Sequence, residues 1–149
     1  MTAMTIGADE LIDPVRRAAD AAGAFGPVAV REGRLICHAK AAAEPASYRL
    51  GFEGGTLWVS LVTADRWLSE SIEADLMHTG DKIEDLIAEE LVELGGARPA
   101  GGIKCEHFRS DDMLFTFRTP VPADAASATR YLLAYEACFR RLGDMGAGE

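Results

Sequence analysis

Apolar positions along this chain keep two alternating rhythms, and the switches between them mark out its elements. From Ala8 to Ala22, Leu11, Ile12, Val15, Ala18, Ala19 and Ala22 recur at helical spacing, and Gly23 stands where a helix would end. The Asp13-Pro14 step falls in the first turn or two, where a missing N–H is cheapest, and Arg16 and Arg17 point away from the stripe. The stripe is thin and alanine-rich, suited to a sheet or to a second copy of itself. The period then drops to two. Val28 and Val30 alternate with Ala29 and Arg31, Glu32-Gly33 supplies a turn, and Leu35 to His38 return as the second arm of a hairpin. After an Ala/Glu/Pro linker, Tyr48 to Phe52 and Thr56 to Val62 form a second hairpin around Gly54-Gly55, the clearest local signal in the chain. Leu57, Val59 and Leu61 share one face of its second arm, and Trp58, Ser60 and Val62 share the other.

Helical spacing returns at Asp65, with Leu68, Ile72 and Leu76 four apart as far as His78-Thr79-Gly80. A further helix follows, with Asp81 expected as N-cap, Glu84 three residues on, and Ile83, Leu86, Ile87, Leu91 and Leu94 as its buried stripe up to Gly95-Gly96. A glycine-rich loop, Gly95 to Gly102, leads to a strand from Lys104 to Arg109. Ser110 to Asp112 turn into another strand, Met113 to Arg118, which Thr119-Pro120 is expected to stop. The last helix, roughly Asp124 to Leu142, lines up Ala128, Tyr131, Leu132, Tyr135, Cys138, Phe139 and Leu142.

Hairpins rather than alternating strands and helices predict an α+β domain: a mostly antiparallel sheet of five to six strands with an N-terminal helix, a central helix pair and a C-terminal helix. A length of 149 residues with 48% hydrophobic content suits one domain with a real core, leaving residues 1–7 and 143–149 as flexible tails.

Charge narrows the partners. The net charge is −9, and the segment from Asp65 to Leu94 holds ten acids against Arg66 and Lys82. Such a chain is poorly matched to nucleic acid or an anionic membrane, because both are bound through Lys and Arg. The acidic faces, with Glu89, Glu90 and Glu93, suit a basic partner, although solvated faces of amphipathic helices look the same. The N-terminus MTAMTIGADE has no basic leader, no apolar run approaches a membrane span, and three cysteines form no disulfide framework, so a cytoplasmic location is expected.

Candidate chemistry is sparse. Cys105 and His107, two apart in GIKCEHF, would share a strand face, and with Cys37 could approach a zinc site; haem would need only one axial ligand. Cys37 and His38 point to opposite faces, no CxxC or CxxCH occurs, and free cysteines are commonly buried. Asp75 and His78 have the carboxylate-x-x-His spacing of di-iron bundles, but no second copy exists, so His78 is better read as a favourable residue at a helix C-terminus. No helix start follows Cys105 to activate its thiol, and the glycine loop lacks a phosphate-binding ending, so neither an enzyme nor a cofactor is expected. Trp58 and Trp67 offer an interaction surface: if the Trp58 face is uncovered by helices, it wants a partner, commonly a second copy.

The order of elements, carried by the helix Ala8 to Ala22, the meander Val28 to Val62, the helix Asp81 to Leu94 and MLFTFRTPVP before the last helix, resembles bacterial type III secretion chaperones and the sensory-regulator proteins of the same fold. The stretch RWLSESIEADLMHTGD adds a helix to that pattern. The resemblance implies a small acidic homodimer that binds another polypeptide along exposed apolar grooves without catalysis, and it carries no site residue. The expectation is thus a non-catalytic cytoplasmic protein-binding protein, with a small-ligand, haem or metal module at Cys105/His107 as the alternative and an enzyme third.

Overall fold

A computed structural model of the chain describes residues 8–39, 46–63, 66–96, 102–109 and 114–140. The Ala/Glu/Pro linker at 40–45, most of the glycine loop (97–101), the turn at 110–113, both expected tails and Leu142 lie outside the described residues. The elements are α1 (Ala8–Ala22), β1 (Phe25–Arg31), β2 (Arg34–Ala39), β3 (Ala46–Glu53), β4 (Thr56–Thr63), α2 (Arg66–Thr79), α3 (Ile83–Glu93), β5 (Glu106–Arg109), β6 (Phe115–Val121) and α4 (Ala125–Phe139). They form an α+β fold around one six-stranded antiparallel sheet in the order β1-β2-β3-β4-β6-β5.

Both early hairpins close through two-residue turns whose residues all have positive φ, Glu32 (53°) with Gly33 (74°) and Gly54 (60°) with Gly55 (81°). That geometry matches the right-handed twist of the flanking strands and sets their register, pairing Arg31 with Arg34 and Glu53 with Thr56. One register row then runs Val28, Cys37, Tyr48, Leu61, Phe117, His107 across the sheet. The neighbouring row of the same face is Val30, Leu35, Leu50, Val59, Thr119. Helices cover this face. α1 lies on β1 to β3 and α4 on β3, β4 and β6; α3 packs on α4, and α2 reaches β4. Leu11, Val15, Ile72, Ile87, Leu132, Tyr135 and Phe139 join the central members of the two rows, from Cys37 to Phe117 and from Leu35 to Val59, in one core, while Val30 at the sheet edge is exposed. On α1, Arg16 and Arg17 face outward and pair with Asp13 at 3.1 Å each.

Four local expectations change. Asp81 is not the N-cap of α3: Lys82 is, without a side-chain cap, because the first helical bonds run from the Asp85 and Leu86 N–H groups to the Lys82 carbonyl, while Asp81 stays with the end of α2, its N–H donating to Thr79 Oγ1. The α3 stripe is narrower than its spacing suggested, with Ile87, Ala88 and Leu91 buried but Leu94 exposed. Pro120 does not stop β6. It pairs with Trp58 beyond the last β5–β6 pair, Glu106 with Arg118, so β6 there has a neighbour on one side only and tolerates a missing donor. Strand β5 begins at Glu106, not Lys104, which leaves Cys105 immediately before it. α4 starts as its sequence implies, with the Asp124 side chain accepting from the Ser127 N–H at 2.8 Å.

Candidate functional site

The short pairing of β5 with β6 divides the segment at 105–108 between two environments. His107 turns to the helical layer, stacked on Phe117 with ring centroids 3.8 Å apart and planes 6° from parallel. Its Nδ1 lies 2.5 Å from Glu73 Oε1 on α2. Burial lowers the His107 pKa from its ordinary value, while Glu73 pulls the other way; burial is the stronger influence. The neutral ring can still donate from Nδ1 to the carboxylate, so the contact latches the edge strand to α2.

Cys105 faces the same layer. Its Sγ meets the Tyr135 hydroxyl at 3.7 Å, which in turn meets the Thr119 hydroxyl at 2.7 Å. Burial pushes the thiol up to about 11, against the partial relief of its contact with Tyr135. Such a group stays protonated near neutral pH, which suppresses its nucleophilicity.

Cys37 occupies the same register row as His107, one strand in from its other end. The two are separated by four strand spacings, roughly 19 Å at about 4.8 Å each. Cys37 is fully buried, and desolvation raises its thiol to about 12. His78 is exposed in the last turn of α2. The structure therefore brings Cys105 and His107 to one edge and leaves Cys37 and His78 elsewhere. Among the described residues no group of three or more His, Cys, Asp and Glu side chains could hold a metal ion.

The opposite face of the sheet has no described helix on it. Its central row is Ile36, Arg49, Ser60, Arg118, Glu106; one flanking row is Arg34, Gly51, Trp58, Pro120, and the other is His38, Ser47, Val62, Thr116, Phe108. A groove of about 330 Å³ runs over them, lined by Arg34, Arg49, Trp58, Ser60, Phe108 and Arg118 among others, with Val62 and Thr116 in its buried floor. The Arg118 guanidinium carbon stands 3.9 Å from the Trp58 ring centroid and 5.0 Å from that of Phe108. Arg118 also reaches Glu106 at 2.8 Å and Glu53 at 3.5 Å. Cation–π contact and two carboxylates thus hold one arginine upright over the sheet. Arg34 drapes across Gly51, so that a Cβ there would sit 2.7 Å from its Cγ. Arg49 Nε donates to Ser47 Oγ at 3.0 Å.

Trp58 belongs to this face, as its alternation with Leu57 and Val59 implies. Trp67 lies in α2, with its side chain outside the described residues. Glu89, Glu90 and Glu93 sit on α3 in the helical layer, beside a second groove with Val92, Leu94, Ala137 and Arg140. Residue-level reading missed Arg34, Arg49, Phe108 and Arg118. For Arg49 the signal existed: the two-residue turn at Gly54-Gly55 sets it opposite Ser60, on the parity of Trp58. For Phe108 and Arg118 no local signal places β5 and β6 beside β4.

No described helix is long and apolar enough to cross a membrane. No protein-family model, curated protein or solved structure matches the chain.

Proposed function

We propose that this is a non-catalytic binding protein that holds another polypeptide on the open face of its sheet, in the manner of a chaperone or regulator, and that it works as a homodimer in the cytoplasm. The observation that carries this reading is the grooved face itself. Four helices lie on one side of the sheet, while the other presents Trp58, Phe108 and three arginines around a cleft. Aromatic side chains and arginine are the residue types that dominate protein interfaces, since they offer large contact area and forked hydrogen bonding at little entropy cost. The cytoplasmic assignment rests on three free cysteines, of which Cys37 and Cys138 are buried. Against a catalytic reading stands the Cys105 thiol, two residues from His107, held protonated by burial.

A photo-crosslinking residue at Ser60, in the groove, and another at Val92, on the helical side, test the proposal in cells. Polypeptide adducts, to a partner or to a second copy, are expected from Ser60. An irradiated Ser60 variant that stays monomeric and unmodified would overturn it. Light scattering over a concentration series addresses the dimer separately, and a monodisperse monomer at high concentration would remove that component.

A further inference from the structure

We infer that the occupant of the open sheet face is an acidic polypeptide segment in extended conformation, with its carboxylates on Arg49 and Arg34, beside the Arg118 that Glu53 and Glu106 hold; this rests on the binding function proposed above. The charge distribution is the first ground. On a chain of net charge −9, the described lining of the groove sets Arg34, Arg49 and Arg118 against Glu53, with Glu106 beside Arg118, a local excess of positive charge opposite in sign to the molecule. An acidic segment would be repelled by the carboxylates of α2 and α3 and drawn to the arginines here, which favours one orientation for the interaction.

Geometry supplies the second ground. Arg49 and Arg118 occupy the same register row, separated by Ser60 on β4. Two strand spacings put their backbones roughly 10 Å apart. The small Ser60 leaves a notch beside Arg49, whose planar guanidinium suits a carboxylate in a way that the lysine ammonium does not, while Arg118 across the notch is held by Glu53 and Glu106. From β2 to β5 the row crosses four spacings, a span that six or seven extended residues match at about 3.3 Å per residue.

The same contacts weigh against the two other occupants. Single-stranded nucleic acid needs bare aromatic faces on which bases stack. Here the Arg118 guanidinium already lies over the Trp58 ring and near that of Phe108. A second copy docked face to face would bring the arginines of both groove linings together, a like-charge juxtaposition that opposes a symmetric contact.

Selection of a displayed library of random linear seven-residue peptides against the full chain tests the inference, with the double variant Arg34→Glu/Arg49→Glu as comparison. Thermal melting establishes that the variant is folded, and the milder Arg49→Gln replaces it if it is not. Enrichment of Asp and Glu is expected, with recovered peptides binding the native protein at least tenfold more tightly than the variant and losing affinity as salt rises. Uncharged peptides that need Trp58 but not the arginines would overturn the acidic inference and leave the binding function standing. Acidic peptides that bind native protein and variant equally would overturn it as well, as would recovery of no peptide. A labelled ten-residue oligothymidylate that binds through Trp58 where no peptide does would overturn both the inference and the function it rests on.

Discussion

Strand β6 and its neighbour β5 show two opposite fates for side chains one residue apart. On the helical side, Phe117 is only 4% exposed, stacks under His107 and lies 5.1 Å from the ring of Phe139, while Thr119, 1% exposed, bonds to Tyr135. On the open side, Arg118 stands between Trp58 and Phe108, and Phe108 is 37% exposed. The pair that looks like chemistry, Cys105 and His107, falls on the closed side, where desolvation keeps the thiol protonated and the imidazole neutral. The pair that looks ordinary, Glu106 and Phe108, falls on the open side and helps to hold an arginine in place. Residue type is thus a weaker guide to function here than which side of the sheet the helices cover.

The sharpest way to break that contrast is to truncate neighbouring residues on β6. Phe117→Ala should lower stability by about 3–5 kcal/mol in urea unfolding, because it removes a buried ring from both His107 and Phe139. Arg118→Ala should cost under about 1 kcal/mol, since its ion pairs are with half-exposed carboxylates. Equal losses would mean that the open face is core. Thiol chemistry probes the closed side next. In a Cys138→Ala variant at pH 8, the reaction of Cys37 and Cys105 with a disulfide reagent should run at least about tenfold slower than that of a free thiol, because lost thiolate outweighs the gain in intrinsic nucleophilicity. Urea should restore the rate; rapid labelling of the folded protein would show the Cys105 edge to be open.

Smaller effects sharpen the same picture. Tyr135→Phe should cost about 1 kcal/mol by leaving the Thr119 hydroxyl without its buried partner, and a neutral result would mean that water serves Thr119 equally well. The pH dependence from His107 should be the smallest. Its folded pKa lies below the unfolded value near 6.5, so between the two the unfolded chain binds more protons. The contribution is complete above about pH 6.5 and is lost as pH falls through the folded value. His107→Gln should flatten thermal stability in that acid window, and Glu73→Gln should steepen it by removing the influence that opposes burial. A slope that His107→Gln leaves unchanged would assign the acid loss to other groups.

How far the sequence reaches is visible at particular residues. The helix from Ala8 to Ala22, both early hairpins, the parity that separates Leu57, Val59 and Leu61 from Trp58, Ser60 and Val62, and the buried side of α4 all follow from short-range rules. Helical and strand periods act within a few residues, and Gly33, Gly54 and Gly55 supply positive φ that other residues rarely adopt. Those same rules misjudged Pro120, whose tolerance depends on how far β5 extends, and Asp81, which lies one residue ahead of the carbonyl that takes the first bonds of α3. Only the tertiary structure decided that β6 lies between β4 and β5, that all four helices settle on one face, and that Arg118 meets Trp58. Those contacts join residues about sixty apart in the chain and form only where burying the Phe117 row against α4 offsets the entropy of closing so long a loop. Local pattern could therefore say which residues share a face, while global packing alone chose which face would be left open.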